Sequence, residues 1–300
     1  MKRIAKDLRR NKLLYLIFIP VLAYYIIFHY LPMFGIIIAF EKYNPAKGFI
    51  KSPWVGFKWF EQFFGSYYLT RLLKNTLLIS IKDIIIGFPA PIIFALLLNE
   101  LRVPRFKKTI QTISYMPYFI SVVVISKLIL DFFSSTGAVT QFLALFGFKP
   151  VNMIGDNRYF QGILVGTNLW QFCGFNSIIY LAAIAGVDPE LYDAAIVDGA
   201  NRWQQTWHVT LPGISTTIII LLIMRLGSLF SSGFEKIILL YSPATYETAD
   251  TISTFVYRSG IREANYSYST AVNLFNSIMN FTLLLTFNHL SKKITERGLF

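Results

Sequence analysis

From residue 13 to residue 40 the chain carries no aspartate, glutamate, lysine or arginine, and apolar side chains fill nearly every position. In an α-helix about 20 residues, rising roughly 1.5 Å each, cross the roughly 30 Å of bilayer hydrocarbon. Comparable stretches follow at about residues 75–98, 109–133, 160–185, 213–234 and 268–290. Hydrocarbon offers no partner to a peptide N–H or C=O, so segments this long and apolar must satisfy their backbones internally as helices. The expected fold is an all-α polytopic membrane protein with about six transmembrane helices. These form a single domain over 13–290, between a basic N-terminus (1–12) and a short C-terminal segment (291–300). Composition agrees: 54% of residues are hydrophobic, 17% aromatic and only 15% charged, too apolar for an ordinary soluble domain.

The charges are placed where orientation is decided. Lys2, Arg3, Lys6, Arg9, Arg10 and Lys12 precede the first span, Arg102, Arg105, Lys107 and Lys108 fill the connection between the second and third, and Lys292, Lys293 and Arg297 follow the last. Basic residues mark the cytoplasmic side, so both termini are expected there, in a multi-pass protein of the plasma or inner membrane. The same clusters account for the net charge of +12, so no nucleic-acid partner is expected. A secretory signal does not fit the first segment, which runs on through Pro32 to Glu41 and Lys42 without a small-residue cleavage site.

No engine or active site is legible. Cys173 is the sole cysteine, and His29, His208 and His289 are far apart without ligand spacing, so no metal or bound cofactor is expected. P-loop, GxSxG and HExxH sequences are missing, and the chain reads as a non-enzyme. The outer connections fall at about 41–74, 134–159 and 235–267. The first carries Trp54, Phe57, Trp59, Phe60, Phe63 and Phe64, suited to a helix at the lipid boundary or to packing on the outer ends of other helices.

The most informative stretch is the cytoplasmic connection over 186–212. Asp188 is a good N-cap, Pro189 suits the first helical position, and Glu190 complements the positive helix start. Gly199 can end this helix in a left-handed conformation, Asn201 can cap a second helix reaching towards His208, and Pro212 fits the first turn of the fifth span. Ala194 and Ala195 keep one side low in profile, so that another protein could approach closely; packing on the chain's own bundle is the other reading.

The order Asp193-Ala194-Ala195, three residues, Gly199, nine residues, Val209-Thr210-Leu211-Pro212 resembles the EAA loop of binding-protein-dependent ABC importer permeases. Asp193 stands where that family usually has Glu, and Val209 where it usually has Ile. The resemblance implies a type I importer permease in which Tyr192, Asp193, Ala194, Ala195, Asp198, Gly199, Ala200, Leu211 and Pro212 form a coupling loop docking on an ATPase subunit. Across nearly the whole chain the sequence also resembles multiple-sugar permeases of the LplB/YteP type, relatives of the maltose importer's membrane subunits. Phe28-His29-Tyr30-Leu31-Pro32-Met33, Ser52-Pro53-Trp54-Val55-Gly56-Phe57 and Ser114-Tyr115-Met116-Pro117-Tyr118 carry that likeness. It implies import of a sugar or oligosaccharide, a second homologous permease, two copies of a cytoplasmic ATPase that uses ATP and Mg, and an extracellular solute-binding protein.

Polar side chains inside a bilayer usually face the bundle interior or a wet cavity. Asn273, Asn276 and Asn280 share one face of the sixth span, and the fourth offers Asn168, Trp170, Gln171 and Asn176. Amides suit sugar hydroxyls and an aromatic face suits a pyranose ring, so these residues form a candidate substrate path; hydrogen bonding to neighbouring helices is the competing role. Lys82, Asp83 and Arg225 are the charges nearest mid-span, with Arg225 expected to meet Asp83 or a solute carboxylate. Alternatives remain: a permease for a non-sugar solute, an ATP-independent secondary transporter, which would show inverted repeats not visible here, or a membrane enzyme, for which no catalytic cluster converges.

Overall fold

The computed structural model describes residues 10–231 and 233–295, and they are helical with connecting turns apart from one isolated bridge between Glu41 and Trp54. Lys2, Arg3, Lys6, Arg9 and Arg297 lie outside the described residues. The chain forms two compact units, one built from residues up to Gly65 with Val256–Leu274, the other from Ser66–Phe255 with residues from Phe275 onward.

In the first unit α1 spans Lys12–Phe40, and none of its most apolar window is buried. Pro32 would leave a backbone carbonyl without its donor and press its ring on the preceding turn; the chain widens into a π turn at Ile26–Tyr30 just ahead of it. The aromatic cluster of the first outer connection clasps the end of this helix. Phe40 stacks on Trp54 with centroids 5.6 Å apart, Trp59 Nε1 donates to Glu41 O at 2.9 Å, and α2 (Lys58–Phe64) buries Phe63. Of the two roles expected for these rings, packing on a helix end holds within this unit, while Trp54 and Phe57 remain 66% exposed.

The second unit holds α3 (Tyr68–Asn99), α4 (Pro104–Tyr115), α5 (Val122–Phe132), α6 (Ala138–Ala144), α7 (Phe160–Ala185), α8 (Pro189–Val197), α9 (Arg202–Gly227) and α10 (Phe234–Leu240). The last helix, α11 (Tyr266–Thr295), contributes residues to both units. Four helices are long and apolar enough to cross a membrane, and six spans result when two bent pairs, Pro104–Phe119 with Val122–Phe132 and Phe160–Ala185 with Pro189–Val197, each count as one.

The fourth expected span coincides with α7, and the second and sixth extend a few residues beyond their expected ends. The third does not run straight. Met116–Phe119 tightens into a 3-10 turn around Pro117, Ser121 then caps α5 by accepting from Val124 N–H, and the two halves meet at 95°. The fifth was expected over 213–234 but runs Arg202–Gly227, with Gly233 in the left-handed region (φ +76°) starting the separate helix α10.

Lipid-facing helices gain little from hydrophobic burial against one another, so close packing and small residues hold them together. Helix α7 is the hub. Phe160 and Leu164 are fully buried with Ile79, Ile125 and Ile237 near its start, and Tyr180 and Ile184 pack with Ala95 and Ile214 near its end. At Gly174 the backbone of α4 comes so near that an added Cβ would stand 2.1 Å from Ser114 O. Gly174→Ala is therefore expected to destabilise the protein by about 1–3 kcal/mol, read as a lowered unfolding temperature in detergent. Gly166→Ala, where an added Cβ meets nothing within 4 Å, should leave that temperature unchanged.

Candidate functional site

Two features of the second unit join at α7: an arm beyond its C-terminal end and a polar cavity along its middle. The arm begins where Asp188 accepts a hydrogen bond from Glu190 N–H at 3.0 Å and Pro189 opens α8 at 70° to α7. It ends in a Schellman turn. Gly199 takes φ +79°, Ala200 N–H donates to Ala195 O at 2.8 Å and Gly199 N–H to Ile196 O at 3.0 Å, satisfying carbonyls the helix end leaves open. Asn201 then starts α9 with a reciprocal capping box to Gln204. Tyr192 Oη and Thr210 Oγ1 lie 2.9 Å apart and Arg202 pairs with Glu100 at 2.8 Å, so the arm is tied to both α9 and the end of α3.

Contrary to the expectation from sequence, Pro212 does not begin a span. It lies inside the continuous helix α9, with a π turn at Thr206–Thr210 immediately before Leu211-Pro212. The same device precedes Leu31-Pro32 in α1. A wide turn absorbs the missing donor without breaking the rod, so the arm runs into the span through continuous helix. Leu191, Ala194, Asp198 and Gly199 border an open cavity of ≈ 410 Å³, and along the same stretch of chain Leu191, Ile196, Val197, Trp203 and Trp207 are exposed apolar side chains.

The polar cavity, ≈ 820 Å³, is lined by Asn168, Gln171, Phe172 and Asn176 of α7 with Asp83, Tyr118, Arg225 and Lys236. Asp83 is ion-paired with Arg225, the structural one of the two partners expected for this arginine. Asn168 Nδ2 donates towards Asp83 Oδ1 at 3.4 Å while its Oδ1 accepts from Lys236 Nζ at 2.6 Å. Lys236 is only 3% exposed, and its ammonium lies 5.5 Å from the centre of the Phe172 ring. Burial pushes this ammonium, in α10 outside the spans, down to about 8, opposed by the Asp83 carboxylate. Gln171 Oε1 is buried without a hydrogen-bond partner among the described residues. Tyr118, brought in by the break in the third span, stacks on Phe175 at 3.7 Å.

Residues 87–296 match the family described as binding-protein-dependent transport system inner membrane component. The chain belongs to that family. Protein LplB of Bacillus subtilis (strain 168) is 44% identical over 294 residues, 98% of this chain and 92% of that protein. The polygalacturonan/rhamnogalacturonan transport system permease protein YteP of the same organism is 40% identical over 300 residues, 100% of this chain and 94% of that one. A solved chain of a bacterial ABC transporter involved in the import of the acidic polysaccharide alginate is 43% identical with a TM-score of 0.91, covering 98% of this chain and 99% of that one.

This permease subunit thus has the helical, multi-pass membrane architecture expected from its sequence. Of the seven side chains proposed for a path, Asn168, Gln171 and Asn176 meet at the polar cavity. Trp170 faces a different, apolar cavity of ≈ 600 Å³. Asn273, Asn276 and Asn280 are not among the residues lining the polar cavity. Asn276 is buried with Oδ1 unpartnered among the described residues, and Asn280 accepts from Phe230 N–H at 2.9 Å, a helix-holding role. Sequence reasoning missed Lys236, which it left in an outer connection. The signal was there: Ile237-Ile238-Leu239-Leu240 after it is an apolar run in an apparent loop.

Removing one partner from a largely buried ion pair strands the other. Asp83→Asn is expected to cost on the order of 2–3 kcal/mol, less than a fully buried pair because the Arg225 side chain is 43% exposed. Asp83→Asn with Arg225→Gln should recover part of that loss in a double-mutant cycle read by unfolding in detergent.

Proposed function

We propose that this subunit carries a sugar or oligosaccharide across the cell membrane by alternating access, driven from outside its own chain. The observation that carries the reading is that one helix, α7, lines the polar cavity through Asn168, Gln171 and Asn176 and passes at its end into the arm. In this reading Tyr192, Asp193, Ala194, Ala195, Asp198, Gly199 and Ala200, with Leu211 and Pro212 behind them, form the coupling surface. An ATPase dimer, which hydrolyses ATP with Mg as its cofactor, closes on this surface and levers α7 and α9 together. A ligand and a motor that contact two states differently shift the population between them.

The sugar assignment draws on the relatives' transport systems and on the amides and aromatic faces that converge at the cavity. The partners are a second homologous permease, two ATPase copies and an extracellular solute-binding protein that delivers the cargo. The subunit has no catalytic site of its own, needs no bound cofactor, and keeps both termini in the cytoplasm. Asn276 and Asn280 do not line this cavity, so in this reading the sixth span's amides hold helices together, and sugar affinity is expected to be unchanged in Asn276→Ala and Asn280→Ala.

Gly199 tests the coupling role. A β-branched side chain at φ +79° is strained by about 1–2 kcal/mol or more, and it would project into the cavity that the partner is to fill. Gly199→Val should insert and assemble normally, yet lose ATP-driven uptake in proteoliposomes. Wild-type uptake by that variant would refute the docking role.

A further inference from the structure

Of the two cations lining the polar cavity only Lys236 is deeply buried, and it makes no direct ion pair among the described residues. Along one hydrogen-bonded chain, Arg225 pairs with Asp83, Asp83 accepts from Asn168, and Asn168 accepts from Lys236. Two cations thus share one carboxylate. Glu235, the other acidic residue lining the cavity, is exposed and forms no ion pair with Lys236 among the described residues. A charge held away from water is costly unless an opposite charge meets it, and the amide oxygen of Asn168 supplies only a dipole.

The neighbours of Lys236 describe what would complete it. Phe172 presents a ring face beside the ammonium, and the amide residues Gln171 and Asn176 line the same space. A ligand that fits has an anionic group for the ammonium, hydroxyls for the amide residues of the lining and an apolar ring face for the phenyl ring. A uronic acid unit has all of these on one small ring. We infer that Lys236 is a specificity-determining residue that receives the carboxylate of an anionic sugar unit, making the cargo an acidic oligosaccharide. The inference rests on the import reading above and narrows its substrate class. Arg225 stays with Asp83 in this arrangement, so Lys236 supplies the unspent charge.

The test uses the complete importer in proteoliposomes with its binding protein, and two probes of equal length: a galacturonate trisaccharide and its methyl ester. The binding protein is the same in every preparation, so a change in the acid-to-ester uptake ratio comes from the permease. Wild type is expected to prefer the acid. Lys236→Gln should lower that preference about tenfold, the scale of one charge-assisted hydrogen bond, while ester uptake persists and reports a folded, coupled transporter. Lys236→Arg should retain the preference. An unchanged ratio in Lys236→Gln, an equal loss of both probes in that variant, or wild-type uptake of the ester alone overturns the assignment and leaves the import reading standing. Wild-type flux of both probes that ignores ATP, or no flux of either, strikes the import reading itself.

Discussion

A backbone inside hydrocarbon has nowhere to send its hydrogen bonds except along its own helix, and every unusual feature of this subunit is a way of meeting that demand while still bending. The π turns at Ile26–Tyr30 and Thr206–Thr210 each precede a Leu-Pro pair, absorbing the lost donor in a wider turn. Where the chain does break, at Met116–Phe119, the freed backbone is recovered by a tight turn and by Ser121, which caps the helix that follows. The break in turn carries Tyr118 to the cavity wall. Bends and polar side chains thus occur together: the places where the rods yield are where the cavity and the arm are built.

The charged network obeys the same constraint. Asp83 in α3, Arg225 in α9 and Lys236 in α10 come from distant parts of the sequence and meet around Asn168 of α7. None of these groups is cheap to bury alone. Together they cross-link α3, α7, α9 and α10 around an open cavity. The arm is built differently, from caps and a left-handed glycine with exposed apolar side chains beside it.

Much of this was legible in the sequence because it depends on local rules. Span number, the start of α8 at Asp188-Pro189, the turn at Gly199 and the cap at Asn201 follow from hydropathy and capping chemistry, which act within a few residues. What escaped depends on contacts between distant segments. Pro212 reads as a helix start because a π turn has no sequence signature to announce it. The span with Met116-Pro117 reads as straight because the hydropathy of 109–133 is continuous across the bend. Lys236 reads as a loop residue because packing of its helix on α3, α5 and α7 appears only once Gly233 turns the chain back. The amide face of the sixth span was real as a pattern, but Asn280 spends its oxygen on Phe230 N–H, a use that periodicity cannot distinguish from ligand contact.

The central claim is that the arm passes a motor's motion to the cavity through unbroken helix. Its most direct test places a cysteine at Ala194 in a Cys173→Ser background and crosslinks it in membranes holding the whole importer. The expected result is a bond from the cytoplasmic side to the ATPase subunit, with ATP-driven uptake arrested by the crosslink and restored on reduction. Labelling of that cysteine by an impermeant reagent from outside, or full uptake with the crosslink in place, would contradict the claim.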